Sequence, residues 1–225
     1  MTLASKCFTA EQRQQVEQAV AAAESITACE IVPVIATCSD RYDRAEDTVG
    51  LWLAAFSAAC VWLYFPLDKS ETGSWENTPI WIGVVVMVLV ITLAFVIGAF
   101  LANKLHRLKR LFIPQKQMIN EVEDRARQIF FDRRVHHTEG ASGLLLYLSL
   151  FESRAVVLGD QLVMTKLGQP FLDHTCQQLT NGLRHGNPAD AICKTIEEAS
   201  SQLSEAIPRS ADDVNELHDA LVLID

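Results

Sequence analysis

Gly143-Leu-Leu-Leu-Tyr-Leu-Ser-Leu-Phe-Glu-Ser-Arg-Ala-Val-Val-Leu-Gly-Asp160 places two short apolar runs on either side of a polar turn. Residues 144–150 and 155–158 read as strands joined by Phe151-Glu-Ser-Arg154, a hairpin-like spacing. Glu152 and Arg154 then read as its exposed polar tip. Upstream, Glu30-Ile-Val-Pro-Val-Ile-Ala-Thr37 is β-branched and of strand length. Pro33 brings no N–H to a ladder, so this strand lies near an edge or is paired on one side only there.

Helical signals surround these strands. Thr9-x-x-Gln12 has capping-box spacing, and Val16, Val20, Ala23 and Ile26 recur at helical intervals. Residues 115–134 carry a stripe of Met118, Val122, Ala126 and Ile129. Pro170 opens a further helix that Gly182 ends, and Asn187-Pro188 opens another that runs to Pro208. The tail from residue 210 is acidic and closes on an apolar stretch, residues 221–224. Strands and helices in this order predict one layered α/β domain.

Two apolar stretches interrupt it. Residues 48–67 carry no charge, and neither do residues 77–103. Each exceeds the roughly 18 residues that a bilayer core about 30 Å thick requires. The expectation is therefore a transmembrane hairpin over residues 48–103, with spans at 48–67 and 80–102 and a short periplasmic loop. Residues 1–47 hold too little to bury a core alone. They form the N-terminal part of a domain whose C-terminal part, with its acidic tail, is residues 104–225. About fifty polar residues precede the first span, unlike a signal peptide.

Basic residues set the orientation. Arg41 and Arg44 precede the first span, and Lys104, Arg107, Lys109 and Arg110 follow the second, whereas the loop has Lys69 alone. Both ends are then cytoplasmic and the protein is a multi-pass component of the bacterial inner membrane. Lys104, Arg107, Lys109 and Arg110 read as an anchor facing anionic headgroups of the lipid bilayer. No ionisable residue lies inside the spans, which argues against a transporter, channel or proton relay. The net charge of −9 argues against a nucleic-acid partner. Six cysteines show no paired spacing for zinc or a disulfide framework.

No phosphate loop, nucleophile elbow, H-E-x-x-H or dinucleotide fingerprint occurs. The chemistry-bearing candidates are Asp40 and Asp43 after the first strand and Asp160 after the third. Ligands of open α/β sheets gather beyond the carboxyl ends of strands, where three carboxylates suit calcium or magnesium. The favoured reading of the same residues is that they cap a helix and end a turn. The adjacent His136 and His137 point opposite ways on an extended segment, so they read as loop or cap residues rather than metal ligands.

Several blocks resemble one family. Glu24-Ser-Ile-Thr-Ala-Cys-Glu-Ile-Val-Pro-Val34, Ala126-Arg-Gln-Ile-Phe-Phe131, Val135-His-His-Thr138, the 143–160 stretch and Asp213-Val-Asn-Glu-Leu217 are similar to the TPM domain in its bacterial membrane-protein branch. That resemblance implies a small mixed sheet flanked by helices. Among such domains, some are associated with phosphatase activity and calcium, others with assembly of membrane complexes or modulation of receptors. The function expected here is a non-catalytic interaction or accessory module with a membrane or cytoplasmic protein partner. The alternative is a divalent-metal-dependent phosphatase.

Overall fold

The computed structural model describes residues 3–64, 80–105, 110–136, 142–209 and 220–225. In chain order its elements are α1 (Ala4–Cys7), α2 (Ala10–Glu24), β1 (Glu30–Ala36), α3 (Asp43–Tyr64), α4 (Ile80–Lys104) and α5 (Gln115–Asp132). They continue with β2 (Gly143–Ser149), β3 (Arg154–Gly159), α6 (Gln161–Lys166), α7 (Gly168–His185), α8 (Pro188–Ala206) and β4 (Val222–Ile224). The architecture is mixed α/β, a four-stranded sheet of order β3-β2-β1-β4 flanked by helices.

β1 pairs in parallel with β2 from Glu30↔Gly143 to Ala36↔Ser149, and β3 runs antiparallel to β2 as the hairpin spacing predicts. β4 adds in parallel to the other side of β1, but only from Val34 onward. Pro33 is thus paired on one side only, which is where a residue without an N–H fits.

Side-chain alternation divides the sheet into two faces. Ile31, Ile35, Leu144, Leu146 and Leu148 point to one core with Val16 and Val20 of α2, Phe171 and Leu179 of α7, and Ile192, Ile196 and Leu203 of α8. Val32, Val34, Leu145 and Tyr147 point to a second core under α5, built on Val122, Ala126 and Ile129. Each aliphatic side chain so buried contributes about 1.5–3 kcal/mol against exposure.

The helix termini follow their sequence signals except in α7, which opens at Gly168, two residues before Pro170, and runs past Gly182. Thr9 and Gln12 form the capping box, and Asn187 caps α8 with Pro188 in its first turn. Gly182 does not end α7, which continues to His185. A Cβ at Gly182 would lie 2.8 Å from the Ala191 side chain, so this glycine serves close packing of α7 on α8.

The chain divides into two compact units, one from Met1–Asp40 with Lys116–Asp225 and one from Arg41–Gln115. The second unit begins ahead of the apolar run because α3 starts in the charged segment, at Asp43. Its two helices are long and apolar enough to cross a membrane. They meet at Gly50 and Gly98, where a Cβ on Gly98 would come 2.9 Å from the Gly50 Cα. Ala54 and Ala102 are buried in the same unit, while Leu51, Trp52, Phe56, Val88, Leu89 and Phe100 are exposed.

Candidate functional site

The parallel pairing of β1 and β2 brings their carboxyl ends to one edge of the sheet. Backbone bonds prolong the contact, Leu150 N–H to Ala36 O at 3.0 Å and Phe151 N–H to Thr37 O at 3.1 Å. The turn that follows carries Ser153 at a left-handed φ of 53°, uncommon for a residue with a Cβ. That turn folds Glu152 back against the sheet, where it is only 2% exposed. Sequence spacing made Glu152 a solvated tip, and the structure corrects this. Oε1 accepts the Ser39 N–H at 3.0 Å and lies 3.7 Å from Cys38 Sγ, and Oε2 accepts from the Ser149 hydroxyl. A buried carboxylate is tolerable because charge-assisted bonds replace its water.

Tyr147 and Glu121 complete the cluster. Ser39 Oγ and the buried Tyr147 Oη are 3.0 Å apart. Burial pushes the phenol up to about 12, the Ser39 bond works against this, and the charge of Glu152 adds to it. Glu121, two turns into α5, has its carboxyl raised by partial burial and then by Asp40, Asp124 and Glu152. The carboxyl end of the β1–β2 pair is thus an acidic rim, Asp40 and Glu121, above a hydrogen-bonded interior that holds the Glu152 carboxylate. Glu152 staples the chain after β1 to the turn after β2 there.

Asp40 sits at this rim, exposed, and ends the α/β unit before the inserted helices. Asp160 does not join it. Because β3 is antiparallel, Gly159 pairs with Leu144 and the Asp160 N–H reaches Gly143 O at 2.8 Å, at the amino end of β2. Six strand steps separate the two ends, about 20 Å at 3.3 Å per residue. Asp160 instead caps α6, its Oδ1 accepting the Gln161 N–H at 2.7 Å. The Asp43 side chain lies outside the described residues. Among the described residues, no group of three His, Cys, Asp or Glu is arranged to hold a metal ion.

At the anchor, Lys104 ends α4 with its Nζ 5.6 Å from the Phe100 ring centre, and Arg110 is exposed. Arg107 and Lys109 lie outside the described residues. His136 packs on Phe131, ring centres 4.7 Å apart, and His137 is outside the described residues.

No protein-family model and no curated protein matches this chain. Its fold is shared. The NMR structure of BA42 protein from the psychrophilic bacterium Bizionia argentinensis sp. nov. is similar, with a TM-score of 0.56 at 17% identity over 96% of this chain and 94% of that one. At such identity the likeness establishes architecture alone, which agrees with the mixed sheet flanked by helices. It leaves the site to be argued from its own residues. The one sequence signal for Glu152 was Ser149-x-x-Glu152 at the end of an apolar strand, a spacing that says nothing of Ser39.

Proposed function

We propose that this chain is a membrane-anchored binding module. A TPM-like α/β domain is held at the cytoplasmic face of the bacterial inner membrane by the α3–α4 hairpin and acts by engaging a protein partner. One observation carries the reading: the apolar window Trp81–Lys104 is only 6% buried. A core helix of a soluble protein would hide most of that surface, whereas lipid is a solvent that suits it. The lipid bilayer is then the first partner, met at the helix ends by Lys104, Arg107, Lys109 and Arg110. Binding without turnover is supported by Glu152, whose two oxygens are occupied by Ser39 and Ser149.

A second reading is a phosphatase dependent on calcium or magnesium. It is favoured by the acidic rim of Asp40 and Glu121 at the carboxyl end of the strands. One set of experiments separates the two. Anchored chain stays in the membrane pellet through alkaline carbonate and brings a stable companion out in mild detergent. Release by carbonate would sink the anchor. Hydrolysis of a generic phosphomonoester with added cation, lost in Asp40→Asn, would establish the second reading in place of the first.

A further inference from the structure

The sheet has two outer edges, and their main-chain groups are disposed of differently. Bonds from β3 to β2 use Asp160 and, by alternation, every second residue before it, so Ala155 and Val157 face outward. There α7 closes the edge with Cys176, whose thiol donates to Ala155 O at 3.3 Å and accepts from the Val157 backbone. Along the outer edge of β1 the first half is also closed. The Ile31 N–H is taken by Glu24 Oε1 at 2.9 Å, and Pro33 has none to offer. Only from Val34 onward does β1 accept a strand, and it accepts β4.

The fit of that strand is specific in chemistry and small in extent. Three residue pairs form, Val34↔Val222 to Ala36↔Ile224, and the Thr37 N–H reaches Ile224 O at 2.8 Å. Leu221 and Leu223 pack on one core and Val222 and Ile224 on the other. One residue on, Asp225 Oδ1 accepts the Ser5 N–H at 2.9 Å and lies 3.3 Å from the Thr37 hydroxyl. Those bonds hold the Asp225 carboxyl below its ordinary range. β4 is three residues long and its side chains are only half-buried, so what holds it to the sheet is a short ladder together with the buried Leu221.

We infer that the β1 edge at Val34–Thr37 is a peptide-docking groove that Leu221–Asp225 fills in cis. A partner protein binds by substituting its own extended segment, aliphatic along the strand and carboxylate-bearing one residue beyond. Main-chain bonds supply the affinity of such strand addition, and the flanking side-chain sites supply its selectivity. The inference rests on the binding-module reading and names the surface that module uses.

The test is fluorescence anisotropy of a labelled Ala-Leu-Val-Leu-Ile-Asp peptide, a copy of residues 220–225, with the full chain in detergent micelles. The peptide should bind Leu223→Asp chain about tenfold or more tighter than unaltered chain, because the resident strand is weakened while the groove is intact. Replacing the peptide's Asp by Ala should cost about tenfold, as loss of a charge-assisted bond does. If circular dichroism shows Leu223→Asp to be unfolded, Asp225→Ala takes its place, since that side chain is exposed and holds no core. Equal binding to released and unaltered chain, or indifference to the peptide's Asp, would overturn the groove. A chain that still co-purifies with a partner while refusing the peptide would leave the anchored module standing and refute the groove alone.

Discussion

Glu152 is the residue on which the two readings of the hairpin turn differ by a measurable energy. As a solvated tip it would tolerate substitution within about 0.5 kcal/mol. As the buried acceptor for Ser39 and Ser149, its loss strands two donors, each costing about 1–3 kcal/mol. Glu152→Ala should therefore lower unfolding stability by about 2–5 kcal/mol in denaturant titrations, and Glu152→Gln by less, because the amide keeps one acceptor oxygen. Tyr147 sets a pH limit at the same place. Its neutral form is favoured in the folded state, so its contribution is complete below the ordinary phenol value near 10 and is lost as pH rises toward about 12. The unfolding free energy should fall across that alkaline window by on the order of 2 kcal/mol, and Tyr147→Phe should flatten the fall.

Between elements, the decisive contact is glycine on glycine. On the proposed bilayer placement α3 and α4 gain nothing from hiding apolar surface, so close backbone approach is what holds them together. Gly98→Leu puts a branched side chain where even a Cβ would be 2.9 Å from Gly50 Cα. It should open the hairpin, read as lost energy transfer between probes at the far ends of the helices, whereas Leu93→Ala on the exposed side should be silent. Elements with strong punctuation were legible in the chain: the capping box of α2, the Asn187-Pro188 start of α8, and the β2–β3 hairpin. β4 was not, since three apolar residues after an acidic run carry no period, and only the vacant half of β1 makes them a strand. Gly182 misled for a related reason, as a glycine that ends a helix and one that admits a neighbouring helix look alike in sequence. Asp40 and Asp160 looked alike as residues after strands, and only the antiparallel direction of β3 sends them to opposite ends.

For the whole molecule, the proposal of two cytoplasmic ends is tested by reporter fusions after Asp225 and within residues 65–79. The C-terminal fusion should be active only in the cytoplasm and the loop fusion only in the periplasm, and the reverse pattern would refute the orientation. The placing of the hairpin also fixes an order of manufacture. β1 and β2 are neighbours in the sheet yet 113 positions apart in sequence, Glu30 against Gly143. At about 5–20 residues per second a ribosome needs roughly 6 to 23 s to make that interval. During it α2 and β1 have no sheet to join, and what is being synthesised is the apolar unit Arg41–Gln115 followed by α5. The domain therefore cannot close until the inserted unit has been made. Stalled chains released before residue 143 should be protease-sensitive throughout residues 1–40, and those released after residue 209 resistant. Under the proposed anchoring, a nascent chain whose hairpin fails to find lipid would present an unfinished domain to the cell's proteases, making correct insertion a condition of survival.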